Sequence, residues 1–166
     1  MKTQRTKDMQ RLMDALDICR KFHINQTDKC SQPYWIHPFT VAMRGFDPYG
    51  GEMSFSFAIV GLLHDIPEDT SISVDGLATL IELTEEEIEA LRLLTHTDDL
   101  SYDEYIDSII ESGNEIAMNV KLDDLLHNKD LNRFIEANIP VTDKDKRRSE
   151  KYKKAFEKLL DKVRGE

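Results

Sequence analysis

The chain is 166 residues long, with 40% apolar and 33% charged residues and a formal net charge of −10. That length fits one domain able to enclose a hydrophobic core, and the acid excess argues against nucleic-acid binding as the main activity. The longest apolar run, Phe57 to Leu63, falls far short of the roughly 20 residues that a membrane-spanning helix needs.

The N-terminus mixes Lys2, Arg5, Lys7 and Asp8 with polar residues and has no signal or transit pattern. Cys19 and Cys30 make neither a disulfide framework nor a zinc motif, which points to a reduced, cytoplasmic protein. The charge is uneven: residues 143–166 hold ten Lys/Arg against six Asp/Glu, and residues 1–142 hold twelve against twenty-six. A body this acidic needs cations at any site that receives an anion.

Residues 4–22 place Met9, Leu12, Met13, Leu16, Cys19 and Phe22 at helical spacing, which predicts an N-terminal core helix. Residues 23–33 read as a polar loop whose one cation is Lys29. Pro38 fits the first turn of a helix, which puts His37 just ahead of it, able to project into a cleft; Trp35 reads as a packing residue. Gly45, Asp47, Pro48, Gly50 and Gly51 mark a loop, after which an apolar helix runs to a stop near Pro67. Val74 to Ile81 reads as a short helix.

Thr84-Glu85-Glu86-Glu87 and Ser101-Tyr102-Asp103-Glu104 are capping-box patterns that open two further helices, the first ending near Thr95. Glu115 to Leu126 reads as another helix. Thr142 with Asp143 and Asp145 starts the last, basic one, over about residues 142–164. Its inner stripe is Tyr152, Phe156, Leu159, Leu160 and Val163, and its Lys/Arg residues read as a solvated face. With no strand-period segment, repeat or low-complexity tract, the chain is expected to be all-α, a single-domain helical bundle over residues 1–166.

Chemistry gathers in two stretches. In Leu63-His64-Asp65-Ile66-Pro67-Glu68-Asp69, a helix running through would put Asp65, Glu68 and Asp69 on one face. Four acidic or imidazole groups within six residues are costly to bury without a cation or substrate. In Lys121-Leu122-Asp123-Asp124-Leu125-Leu126-His127-Asn128, helical spacing aligns Lys121, Asp124 and Asn128 and turns Asp123 away.

His37, His64, Asp65 and Asp124, drawn from three helices, suit a divalent ion such as Mn²⁺, Fe²⁺ or Zn²⁺. Such an ion would lower the pKa of a water it carries, and Glu68 and Asp69 could hold that water and move its proton. Asn128 and Lys121 are placed to bind a ribose or phosphate. His23, His96 and His127 have no partners at ligand spacing and read as loop or helix-cap residues.

The order His, His-Asp, Asp resembles the HD superfamily of metal-dependent phosphohydrolases. More narrowly, four segments resemble the hydrolase domain of RelA/SpoT-type proteins and the small alarmone hydrolases. These are Pro33 to Pro38 with Val41-Ala42, Leu62 to Thr70, Leu94-Thr95 with Tyr102 to Tyr105, and Val120 to Asn128, so the likeness covers about residues 10–135.

The resemblance implies an HD-type fold, His37, His64, Asp65 and Asp124 as Mn²⁺ ligands, and Glu68 and Asp69 as the pair that arranges the attacking water. It implies Asn128 at the nucleotide; Lys121, aligned with it by helical spacing, and Lys29 are the further candidate substrate contacts. The implied reaction removes pyrophosphate from the 3′ position of (p)ppGpp, leaving GDP or GTP.

Three positions depart from the family. Residues 23–33 lack the arginine that stacks on guanine, so Lys29 is the candidate cation there; Asp123 replaces a small residue; and Leu131 stands where Thr is common. An HD phosphohydrolase acting on a different nucleotide or phosphoester, or a non-catalytic nucleotide-sensing module, are the alternatives. The expected partner is a small nucleotide, with no nucleic acid and no membrane.

Overall fold

The computed structural model describes residues 3–165; Lys2, among the residues read for a leader, lies outside them. The described residues form helices α1 (Gln4–Phe22), α2 (Ile36–Gly45), α3 (Gly51–Leu63), α4 (Ile66–Asp69), α5 (Val74–Ala78), α6 (Glu85–Leu94), α7 (Tyr102–Ser112), α8 (Glu115–Lys129), α9 (Asn132–Glu136) and α10 (Asp143–Arg164). Among them the β-type pairing is one isolated bridge between Thr27 and Pro33, so the chain is all-α, as its periodicity indicates.

Local chemistry sets most helix starts. The boxes read at Thr84/Glu87 and Ser101/Glu104 both form, and a third forms between Thr142 and Asp145 at the head of α10. In each, a hydroxyl and a carboxylate satisfy backbone N–H groups that a helix end leaves open. α7 stops where Gly113 takes φ 67°, a left-handed conformation that costs glycine little.

α3 is the hub, buried on nearly every side, and packs against α1, α2, α6 and α8. Its contact with α2 is very close: a Cβ on Gly61 would stand 2.9 Å from the Ala42 Cα. A second tie is polar. The buried Glu87 carboxylate accepts from Ser56 Oγ at 2.7 Å and from the Thr84 N–H at 2.8 Å, and pairs with Arg11. Arg11 also donates to the Glu82 carbonyl, so one charge pair joins α1, α3 and the start of α6. Every lone pair and proton of such a buried pair needs a partner, and here most have one.

Several boundaries differ from the sequence reading. α3 ends at Leu63, not near Pro67, because Pro67 has no N–H for the Leu63 carbonyl and its ring crowds that oxygen. His64 and Asp65 therefore form a turn, and Glu68 and Asp69 ride on a separate short helix. His37 lies within the first turn of α2 instead of ahead of it.

α5 ends at Ala78 and α8 continues to Lys129, while α9 has no counterpart in the reading. Val163 is exposed, and Ala155 takes a place in the inner stripe of α10. Trp35 packs edge-on to Phe39, as expected of a packing residue. Both cysteines are free and buried. No described helix is long and apolar enough to cross a membrane.

The α2–α3 contact yields a test. Gly61→Ala should lower stability by about 1–3 kcal/mol, the usual cost of overpacking a tight contact, measured by urea unfolding.

Candidate functional site

Three elements aim their polar ends at one point: the first turn of α2 with His37, the His64–Asp65 turn after α3, and the middle of α8 with Asp124. Ligand atoms of His37, His64 and Asp65 lie within 4.8 Å of one another, a group that could hold a metal ion. Asp65 stands with its two oxygens 3.1 Å from His64 Nε2 and 3.3 Å from His37 Nε2. Asp124 faces them from α8, its Oδ1 3.2 Å from His37 Nε2 and 3.8 Å from His64 Nε2. All four predicted ligand positions are thus brought together.

The proton positions follow from the neighbours. The Gly61 carbonyl can only accept, so His64 Nδ1–H donates to it at 2.8 Å. His64 Nε2 is then the ring's free nitrogen, buried and without a hydrogen-bond partner, facing two carboxylates. A lone pair among carboxylates is repulsive, so the point they share calls for a cation, either a proton or a metal.

Burial opposes charge on both rings, yet the Asp65 and Asp124 carboxylates hold their pKa values above that of free histidine. Burial also opposes charge on the two aspartates, and the imidazoles, with Lys121 beside Asp124, keep both well below the usual carboxylate range.

Each of these groups is itself held. Tyr34 Oη–H donates to Asp65 Oδ2 at 2.8 Å, Asn128 Nδ2–H to Asp124 Oδ1 at 2.5 Å and Lys121 Nζ–H to Asp124 Oδ2 at 2.9 Å. His37 Nδ1 lies 2.7 Å from His127 Nδ1. Burial, and then the charge on His37, push the His127 pKa down to about 4, so His127 is the neutral acceptor and His37 the donor. That bond turns His37 Nε2 towards the carboxylates.

Glu68 and Asp69 lie one turn beyond Asp65. Glu68 Oε1 accepts from the His96 backbone N–H at 2.5 Å, which fixes it to the loop after α6. Burial raises both pKa values, with the Asp65 charge adding to the effect on Asp69. Carboxyls raised in this way lie nearer the range where protons are exchanged at neutral pH.

His37, Asp65 and Asp124 line a cavity of about 460 Å³, with His64 buried beside them. Its lining mixes the carboxylates of Asp28, Asp65, Glu68, Asp69 and Asp124 with the cations Lys29, Lys121, Arg133, Arg148 and Lys151. Two lining groups, Tyr102 Oη and Arg133 Nε, are buried polar atoms without a partner. The cavity thus has room and unmet hydrogen-bonding capacity for a polyanion.

The structure shows what several of these residues meet. Lys121 lines the cavity, but its ammonium is bonded to Asp124 and braces that carboxylate instead of standing free for a ribose or phosphate. Lys29 also lines the cavity, paired with Asp145 at 3.2 Å. The basic face of α10 is not wholly solvated, since Arg148, Lys151 and Tyr152 reach the cavity. Their one sequence signal is that Arg148 sits four residues before Tyr152, on the inner stripe. His127, read as partnerless, orients His37.

The site thus sits where three helical elements of an all-α fold converge on a His-Asp turn. No family model matches the chain. A solved structure of a metazoan ortholog of SpoT, described as hydrolysing ppGpp and playing a role in starvation responses, shares the fold, with a TM-score of 0.64 and 24% identity over 93% of this chain and 86% of that one.

A Mycoplasma pneumoniae protein named "Probable guanosine-3′,5′-bis(diphosphate) 3′-pyrophosphohydrolase" is 28% identical over 127 residues, 69% of this chain and 17% of the relative. A Borreliella burgdorferi protein named guanosine-3′,5′-bis(diphosphate) 3′-pyrophosphohydrolase is 31% identical over 91 residues, 54% of this chain and 13% of the relative. The matches span under a fifth of the length of these curated relatives. The likeness to RelA/SpoT-type proteins read from the motifs is thus borne out in both sequence and fold.

Asp145 gives a pH test. Bonds from Thr142, then Lys29, hold its pKa at about 2 against an ordinary value of 3.8. A depressed carboxyl stabilises the fold fully above its unfolded value, and that contribution is lost as pH falls towards the folded one. Asp145→Ala should therefore lower the melting temperature at neutral pH, and the gap to wild type should narrow between about pH 4 and pH 2.

Proposed function

We propose that this chain is a metal-dependent phosphohydrolase, and specifically a guanosine-3′,5′-bis(diphosphate) 3′-pyrophosphohydrolase. One observation carries the reading: His64 Nε2, buried and unpartnered, points with His37 Nε2 between the Asp65 and Asp124 carboxylates, one turn from a carboxyl pair with raised pKa values. Two nitrogens and two carboxylates suit a borderline divalent ion, and Mn²⁺ is our assignment. Such an ion, when bound, supplies Lewis acidity and brings a water's pKa towards neutrality.

The remaining work falls to the chain's own groups. Glu68, held by the His96 N–H, and Asp69 receive the water's proton. Asn128 meets the nucleotide beside Asp124, while Arg148, Lys151 and Arg133 give the pyrophosphate a cationic wall in an acidic protein. Water adds across the bond between the 3′ oxygen and its pyrophosphate, giving pyrophosphate with GDP or GTP. The names carried by the two curated relatives and the description of the solved neighbour support this substrate. We further assign residues 1–166 to one HD-type unit, acting in the cytoplasm on a small nucleotide.

A second reading, an HD phosphohydrolase for a different nucleotide or phosphoester, is favoured by one feature. Residues 23–33 contain no arginine, and their one cation, Lys29, is paired with Asp145.

With Mn²⁺ and ppGpp the purified protein should release pyrophosphate and GDP; orthophosphate, or no product, would argue against the alarmone. His64→Ala or Asp65→Ala should lose bound metal and turnover together, read by metal analysis and a pyrophosphate assay. Glu68→Gln should keep the metal and lose about 10²–10⁴-fold in kcat, the range for a positioned acid–base group. His127→Ala should weaken metal binding by about 10–100-fold, as expected when the group that orients a ligand is removed.

A further inference from the structure

We propose that Asp145 moderates the cavity's hold on highly charged phosphate ligands by competing with them for Lys29 and Arg148. The inference rests on the phosphate-binding reading of the cavity. Lys29 and Arg148 both line it, one from the loop before α2 and one from α10. Asp145, buried on the first turn of α10, stands behind them with Oδ1 3.2 Å from Lys29 Nζ and 4.0 Å from Arg148 Nη2.

Its other oxygen is fixed by the Thr142 N–H at 3.1 Å and by the Thr142 hydroxyl, so the carboxylate is held in place. On the same loop, Asp28 faces Arg133 of α9 at 3.9 Å. Two ion pairs of opposite sense thus clip residues 28–29 to α9 and α10 beside the cavity.

A fixed carboxylate lowers the positive potential that two cations present to a ligand. An incoming phosphate must share or displace that partner. The carboxylate's repulsion grows with the ligand's charge, so it weighs more on pyrophosphate than on orthophosphate. Asp145 therefore acts as a repulsive element that lowers affinity most for the more highly charged ligand. It also keeps the like-charged Lys29 and Arg148 close together when no ligand is bound.

The test is calorimetric titration of the full chain, metal-free, with inorganic pyrophosphate and with orthophosphate. Asp145→Asn keeps an acceptor for the Thr142 groups and removes the charge. It should tighten pyrophosphate binding by about three- to tenfold, and orthophosphate by less, widening the ratio between them. If the Asn variant does not fold, Asp145→Ser removes the same charge.

Asp143→Asn, which removes a carboxylate of the same helix turn, should leave both affinities nearly unchanged. In a Lys29→Gln/Arg148→Gln background the gain from Asp145→Asn should vanish. Unchanged or weaker binding in the charge-removed variant, including no binding by any form, would overturn the proposal, as would a gain that persists without the two cations. Turnover of ppGpp by the wild type with Mn²⁺ is read separately and reports on the proposed hydrolysis alone.

Discussion

Two imidazoles and two carboxylates, with each ring nitrogen 3.1–3.8 Å from both carboxylates in a buried pocket, depend on a positive charge among them. In a low-dielectric interior an unpaired carboxylate is strongly disfavoured, so removing one partner harms the others more than the pair's own attraction would suggest. Much of the surrounding structure serves this cluster. α3 delivers His64 and Asp65, and the Ala42–Gly61 contact brings α2 close to α3. Lys121 and Asn128 engage Asp124, while His127 and Tyr34 hold His37 and Asp65.

The same cluster accounts for how an acidic chain can offer a site to an anion. The body of the protein repels polyanions, and the cavity reverses the sign locally in two ways. One is the cation that the imidazole–carboxylate cluster calls for. The other is a set of Lys and Arg side chains from the loop before α2, from α9 and from α10. The carboxylates of Glu68 and Asp69 line the same cavity, so its lining is mixed rather than uniformly basic.

Helix identity was legible wherever it rests on local chemistry. The hydroxyl–carboxylate caps at Thr84, Ser101 and Thr142 satisfy donors within three residues, and they form as their spacing indicates. The grouping of His37, His64, Asp65 and Asp124 was legible as well, from the combination of a histidine before one helix, a His-Asp pair after an apolar one and an aspartate within a later one. What could not be read depends on distance through space. The His37–His127 bond joins residues 90 apart and the Lys29–Asp145 pair residues 116 apart; periodicity reports which face is buried and not what it meets. The face of α10 was misjudged for that reason. The end of α3 was misplaced for a local one: Pro67 was read as the stop, although the bond it denies is three to four residues earlier.

The break between α3 and α4 separates two tasks that one continuous helix would have fused. His64 and Asp65 are anchored by α3 and its buried neighbours, whereas Glu68 and Asp69 sit on a four-residue segment tied to the loop beyond α6 through the His96 amide. Changes in that loop can therefore re-aim the carboxyl pair while the His64–Asp65 turn stays as it is. The fold is in this sense modular: under the roles proposed above, ion capture and proton handling would rest on separable pieces of backbone, and a chain could keep the first while trading away the second.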